Sequence, residues 1–178
     1  NANHIAHNSL LNKTLVTYEN GQFDILTADG NIHAISDLFL KHMSGSKQVN
    51  DICMFQHKAF LAMNWGILVV NLRKMEIEDT YYIGKNASEV NVRSLCIMDD
   101  QLYALTNNNL YHARLTDNLI DYAYWKTHTI PAGASMQFIR AWNNQLYVLA
   151  DNLLYAWRSN SWVKVSPHKY KNVCHTGD

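Results

Sequence analysis

The sequence predicts an all-β protein made of about four repeated, four-stranded antiparallel units, and three observations lead there. The stretch "LYALTNNNLYHA" (102–113) returns 44 positions later as "LYVLADNLLYAW" (146–157), with Leu, Tyr, Leu, Asn, Leu and Tyr in register. The same unit stands earlier as "FLAMNWGILVV" (60–70) and "LVTYENGQFDI" (15–25), giving spacings of 45, 43 and 44 that nearly fill the 178 residues. The segments are short, rich in Val, Ile, Tyr and Trp, and punctuated by turn residues every 8–12 positions. That is a strand pattern, unlike the Ala/Leu-rich helical repeats of about 33–34 residues.

Within each unit the elements follow in one order. A first strand is β-branched and apolar: "VNDICMF" (49–55), "VRSLCIM" (92–98) and "MQFIRAW" (136–142). A polar turn follows, "QHK", "DDQ" or "NNQ". The second and third strands come next, joined at Asn20-Gly21, Trp65-Gly66, Asn108-Asn109 and Asn152-Leu153; Asn and Gly accept the positive φ that tight hairpins need. A more polar strand closes the unit, "DTYYIG" (79–84), "AYWKTHTI" (123–130) or "SWVKVSP" (161–167). One helical interruption is expected, "ISDLFLKHM" (35–43), with Ser36 as its cap.

A four-stranded β unit of 40–45 residues is the signature of a β-propeller blade. The second and third strands are apolar on both faces because a neighbouring blade covers each. The blades are predicted at 3–45, 46–88, 89–132 and 133–171, forming one module over 1–178. Residues 172–178 open a further blade or supply a closing strand, so the module is an arc of a larger propeller or a tight four-blade ring. An arc with bare end faces is expected to self-associate through its end blades.

Composition narrows the function classes. With 48% hydrophobic and 11% aromatic residues, the chain has material for a sizeable core. Fifteen Lys and Arg balance fifteen Asp and Glu with no basic stripe, which argues against nucleic acid as a partner. The longest apolar run, "GILVV" (66–70), falls far short of the roughly 20 residues of a membrane-spanning helix. No charged n-region and apolar h-region opens the sequence, so a secretion signal is expected to be absent or already removed. Asn1 and Ala2 are left outside the fold.

The stretches "LVTYENGQFDILTADGNIHAISDL" (15–38) and "DTYYIGKNASEVNVRSLCIMDDQLYALTNNNLYHARL" (79–115) resemble the amino-terminal propeller of PorZ-like proteins of the Bacteroidetes, which belong among the two-component-regulator-type propellers. The resemblance implies an extracytoplasmic component of the type IX secretion system, in the periplasm or at the cell surface in association with the outer membrane. It further implies a recognition or scaffolding role, with envelope or secretion-system proteins and anionic lipopolysaccharide or another glycan as partners. The alternative is a ligand- or glycan-sensing propeller of a hybrid two-component regulator.

Catalytic and metal-binding patterns were sought among the remaining residues. His4 and His7 are three apart and His168 and His175 seven apart, yet neither pair has a neighbouring carboxylate or cysteine to complete a ligand set, so no metal and no cofactor is predicted. There is no GxSxG, and the three cysteines, Cys53, Cys96 and Cys174, form no CxxC. Cys53 and Cys96 share one position in consecutive repeats, which predicts core thiols and not a nucleophile. Asp99-Asp100 occupies a turn slot filled by Gln56-His57 and Asn143-Asn144 elsewhere, so it is not an acid–base pair. The chain is expected not to be an enzyme. Trp125 and Trp162 read as structural residues of outer strands. Trp65 stands at a hairpin tip where other repeats have Asn20, Asn108 and Asn152; it is the candidate partner-binding residue, with packing against an adjacent loop as the competing reading.

Overall fold

The computed structural model describes residues 1–40, 45–131 and 134–171. Its strands form four four-stranded antiparallel sheets, each paired in chain order. The first sheet holds β1 (Ala2–Asn8), β2 (Lys13–Tyr18), β3 (Phe23–Thr27) and β4 (Ile32–Ile35), followed by one helical turn, α1 (Asp37–Leu40). The second holds β5 (Val49–Phe55), β6 (Lys58–Met63), β7 (Gly66–Asn71) and β8 (Glu76–Tyr81). The third holds β9 (Val92–Met98), β10 (Gln101–Thr106), β11 (Leu110–Arg114) and β12 (Lys126–His128). The fourth holds β13 (Met136–Trp142), β14 (Gln145–Ala150), β15 (Leu153–Arg158) and β16 (Ser161–Lys164). The repeated stretches are thus the second and third strands of successive blades.

The first strands of neighbouring sheets lie side by side, β1 beside β5, β5 beside β9 and β9 beside β13. They form the inner wall, and the later strands radiate outward. Among the described residues the buried cores join the first sheet to the second, the second to the third and the third to the fourth, and none joins the fourth to the first, so the four blades follow one another as an arc. The expected further strand at 172–178 lies outside the described residues.

Alternation along β6 and β7 explains the stacking. Leu61, Met63, Leu68 and Val70 join a core shared with Leu15, Phe23 and Ile25 of the first sheet. The intervening Phe60, Ala62, Ile67 and Val69 join a second core with Leu95, Leu102 and Ala104 of the third sheet. Tyr103 and Leu105, on the far face of β10, pack with Ile139, Leu146 and Val148 of the fourth. Each buried leucine or phenylalanine contributes roughly 1.5–3 kcal/mol, so the blades are joined by apolar area on both faces.

The turns carry the expected chemistry, with shifted positions. Consecutive residues of positive φ stand at Asp99-Asp100, Asn143-Asn144, Asp151-Asn152 and Ser159-Asn160, the type I′ geometry that matches strand twist. The last β14–β15 tip is therefore Asp151-Asn152, and Leu153 already begins β15. At the β6–β7 tip the turn is Asn64-Trp65, while Gly66 belongs to β7; a Cβ there would collide with the carbonyl oxygen of Tyr81. Strand β8 begins three residues before the predicted Asp79. The Asn71 side chain causes this: its Oδ1 accepts from the backbone N–H groups of Arg73 (3.0 Å) and Lys74 (3.1 Å), reversing the chain early so that Glu76 pairs with Asn71. Pairing also begins at Ala2, opposite Tyr18, so only Asn1 stands outside the first sheet. The helix expected at 35–43 is described only as α1. Its residue Leu40 donates its N–H to the Ser36 carbonyl (2.9 Å), and 41–44 lie outside the described residues.

Cys53 and Cys96 occupy matching places in β5 and β9. Burial pushes the Cys53 thiol up to about 12 and raises Cys96 as well. A deprotonated, reactive thiolate is disfavoured at both. In the native protein, a thiol reagent should label either one at least about tenfold more slowly than after denaturation. Rapid native labelling, read by mass spectrometry, would contradict this placement.

Candidate ligand-binding face

One detail recurs in all four first strands. Pairing slips between Ala2 and His4 in β1, between Val49 and Asp51 in β5, and between Met136 and Phe138 in β13. In β9 the slip falls between Val92 and Ser94. Asn3, Asn50, Arg93 and Gln137 are therefore bulge residues in one equivalent slot, freed from the ladder and re-aimed. Asn3 Nδ2 donates to the Val49 carbonyl (3.0 Å) and Asn50 Nδ2 to the Val92 carbonyl (2.7 Å), each tying one blade to the start of the next. The third slot departs from this pattern. Arg93 Nη1 donates instead to Asn107 Oδ1 (3.1 Å), in the β10–β11 turn of its own sheet. In the fourth, Gln137 is engaged by Asn152, whose N–H donates to Gln137 Oε1 (2.8 Å).

At this end of the inner wall lies an open depression of about 670 Å³. All four sheets contribute to it, through His4, Asn50, Arg93 and Gln137, and Asn91, Asn107 and Lys171 complete its polar rim. Among the described residues no carboxylate lines it. A second depression of about 570 Å³ continues outward past Arg93 and Asn107 toward Ser135.

Immediately below the bulge slots, three first strands are locked together. Asp51 of β5 accepts from Ser94 Oγ (2.6 Å) and the Leu95 N–H (3.0 Å) of β9, and from Arg140 Nη1 of β13 (2.8 Å). Arg140 Nη1 also donates to Ser94 Oγ (2.7 Å). The Asp51 carboxylate is thus consumed inside the wall. Arg140 takes the place that Cys53 and Cys96 hold in the preceding repeats.

The residues singled out in the sequence lie mostly elsewhere. Trp65 is 5% exposed and packs in the core of the first two sheets, 6.1 Å from the Tyr82 ring. Its ring is largely packed away, and its buried Nε1 has no hydrogen-bond partner among the described residues. A smaller depression of about 410 Å³ runs beside it, past Tyr82 and Leu38. His4 and His7, three apart on a strand, point to opposite faces, and His7 Nδ1 bonds Thr14 Oγ1 (3.0 Å). Asp99 and Asp100 form a turn, as expected. Trp125 immediately precedes β12 and is buried, with its Nε1 donating to the Leu119 carbonyl (3.0 Å). Trp162, in β16, donates to the Thr129 carbonyl (2.8 Å). His175 and Cys174 lie outside the described residues.

Trp162 also belongs to an aromatic cluster between the third and fourth sheets. His128 meets Trp157 edge-on at 4.3 Å and His112 at 5.7 Å, and His112 stacks on Tyr103 at 5.6 Å. Burial, then the neighbouring His128 and Lys126, lowers the His112 pKa below its ordinary value. The candidate face itself was not foreseen from sequence. Its available signal was a polar residue, Asn, Arg or Gln, at the second position of apolar first strands.

Among the described residues, sixteen strands in four radiating sheets, with polar groups gathered at one mouth of the inner wall, define a β-propeller module. The chain belongs to the family of PorZ N-terminal β-propeller domains of type IX secretion, whose model matches residues 1–126. Among solved structures it is similar to PorZ of Porphyromonas gingivalis, a bacterial surface component of that system, with a TM-score of 0.80 at 24% identity over 92% of this chain. It is also similar to the extracellular domain of a putative hybrid two-component system from B. thetaiotaomicron, with a TM-score of 0.67 at 16% identity over 96% of this chain. The WD40 repeats of RRP9 give 0.70 at 12% identity over 92% of this chain and 50% of theirs. The chain spans 22% of the length of each of the two bacterial structures. No curated protein sequence matches it.

Two outcomes follow from the geometry. Asp51→Ala strands the largely buried Arg140 guanidinium and should destabilise the protein by about 3 kcal/mol, with Asp51→Ala/Arg140→Met recovering part of the loss. A double-variant loss equal to the sum of the Asp51→Ala and Arg140→Met losses, by urea denaturation, would show that the pair is not coupled. The His112 pKa is lower folded than unfolded, so its stabilisation is complete above the unfolded value of ~6.5 and is lost as pH falls through the folded value. The melting temperature should decline below neutral pH, and His112→Gln should flatten that part of the profile.

Proposed function

We propose that this chain is a non-catalytic binding and scaffold propeller of the bacterial cell envelope, acting in type IX secretion at the periplasm or cell surface. The observation that carries the reading is the family match across 126 residues. The chemistry of the inner wall supports it. The mouth is lined mainly by amides, with Arg93, Lys171 and His4, and no carboxylate among the described residues lines it, while the nearby Asp51 is spent on Ser94 and Arg140. Its partners on this reading are envelope or secretion-system proteins, with anionic lipopolysaccharide or another glycan as a further ligand.

A second reading, a ligand- or glycan-sensing propeller of a hybrid two-component regulator, is favoured by the likeness to the B. thetaiotaomicron extracellular domain. Deletion of the segment 1–178 from the gene in its own bacterium distinguishes the two. The scaffold reading expects type IX cargo to lose its surface anchoring, which surface proteolysis and fractionation would measure. Normal anchoring together with a changed transcriptional response to glycans would replace it with the sensor.

A further inference from the structure

The mouth of the inner wall holds more hydrogen-bond donors than its own residues use. In the bulge slot, Asn3 and Asn50 each bridge to the next blade. Arg93 gives up that structural task and turns toward the mouth, where Asn107 Oδ1 is its side-chain partner. It forms no ion pair among the described residues. A guanidinium has five N–H donors, so most of its capacity stays unspent.

The neighbouring amides are oriented the same way. The Asn107 carbonyl oxygen is taken by Arg93, and the Asn91 carbonyl oxygen lies 3.1 Å from Asn50 Nδ2. The Nδ2 groups of Asn91 and Asn107 make no hydrogen bond to the described residues, and both residues line the same depression. Lys171 adds an ammonium at the rim. Asp51, the acidic residue nearest in sequence to the Asn50 slot, is held below by Arg140 and Ser94 and cannot neutralise Arg93. A depression of about 670 Å³ rich in spare donors, with no carboxylate among its described lining residues, suits an acceptor-rich ligand.

We propose that Arg93, with the Asn91 and Asn107 side-chain amides and Lys171, forms a binding site for a carboxylate or phosphate group borne on a small polar ligand. Arg93 pairs with two oxygens of the anion in a forked geometry, and the amides donate to its remaining oxygens and hydroxyls. The inference rests on the reading of this face as a binding surface and names the chemistry it selects.

Titration of the 178-residue chain, followed by NMR shift changes and calorimetry, tests it with matched probes. Glucuronate and glucose 1-phosphate stand for sugar-borne anions, and an N-acetylated dipeptide with a free carboxylate stands for a peptide end. Glucose and the amidated dipeptide are their neutral counterparts. At least one anion should bind about tenfold or more tightly than its counterpart, and which arm binds identifies the source. Arg93→Gln should abolish that difference, and Arg114→Gln, away from the mouth, should not. Equal binding of charged and neutral probes, no binding by any anion, or retention of the difference in Arg93→Gln would each overturn the site. Should Arg93→Gln prove unfolded by circular dichroism, Asn107→Asp supplies the second variant. It places a carboxylate beside Arg93 and should cause the same loss, and unchanged anion binding there would likewise overturn the site. Neither result depends on cargo anchoring in the bacterium, so failure of the anion site is separable from failure of the scaffold reading.

Discussion

A sheet apolar on both faces has to be covered on both faces, and the architecture follows from that constraint. The second sheet meets it most fully: every residue of β7 is buried, and its alternate side chains are shared between the first and third sheets. Sheets stacked in this way bring their first strands together as an inner wall. Polar side chains are then left with the turns, the outer strands and the ends of that wall. The end that gathers Asn50, Arg93 and Gln137 owes its position to the stacking and its chemistry to one bulge per strand.

The two arginines of the inner wall show how context separates structure from function. Arg140 is held by Asp51 and Ser94, and its charge is answered within the fold. Arg93 has a single amide as its side-chain partner. The chain has a formal net charge of zero, yet this mouth is locally cationic because its balancing acid is occupied one layer below. Average charge excluded a nucleic-acid stripe, but it carried no information about a site of a few residues.

Strand existence, order and repeat length were legible because they rest on local alternation and turn residues. The first strands at 49–55, 92–98 and 136–142 agree with β5, β9 and β13 at both ends, since each apolar run stops at a polar turn residue of positive φ, Gln56, Asp99 or Asn143. Misplaced ends have local causes: the Asn71 side chain reverses the chain before β8, and Gly66 pairs in β7 where a tip residue was expected. The local pattern places Trp65 at an exposed hairpin tip, and this tip instead folds into the core between two sheets, a long-range packing that no local pattern reports. The Asp51–Arg140 pair was invisible for another reason: its members are 89 residues apart and occupy non-equivalent slots of the repeat. No periodicity links them, and Arg93 appeared as one polar residue in an apolar strand.

That long-range pair has a consequence for how the protein loses its structure. Stacked repeats ordinarily communicate only with adjacent repeats, so they can fray one unit at a time from an end. Arg140 reaches past the third blade to the second, while Ser94 of the third blade bonds to both partners. Freeing the fourth blade therefore strands a carboxylate two blades away, and the energy of opening is spread over three units. The contact thereby links the second, third and fourth blades directly. The first blade has no share in that contact and is tied to the second by apolar packing and by hydrogen bonds from Asn3, Asn8 and Lys13, so its opening would leave the Asp51–Arg140 pair intact.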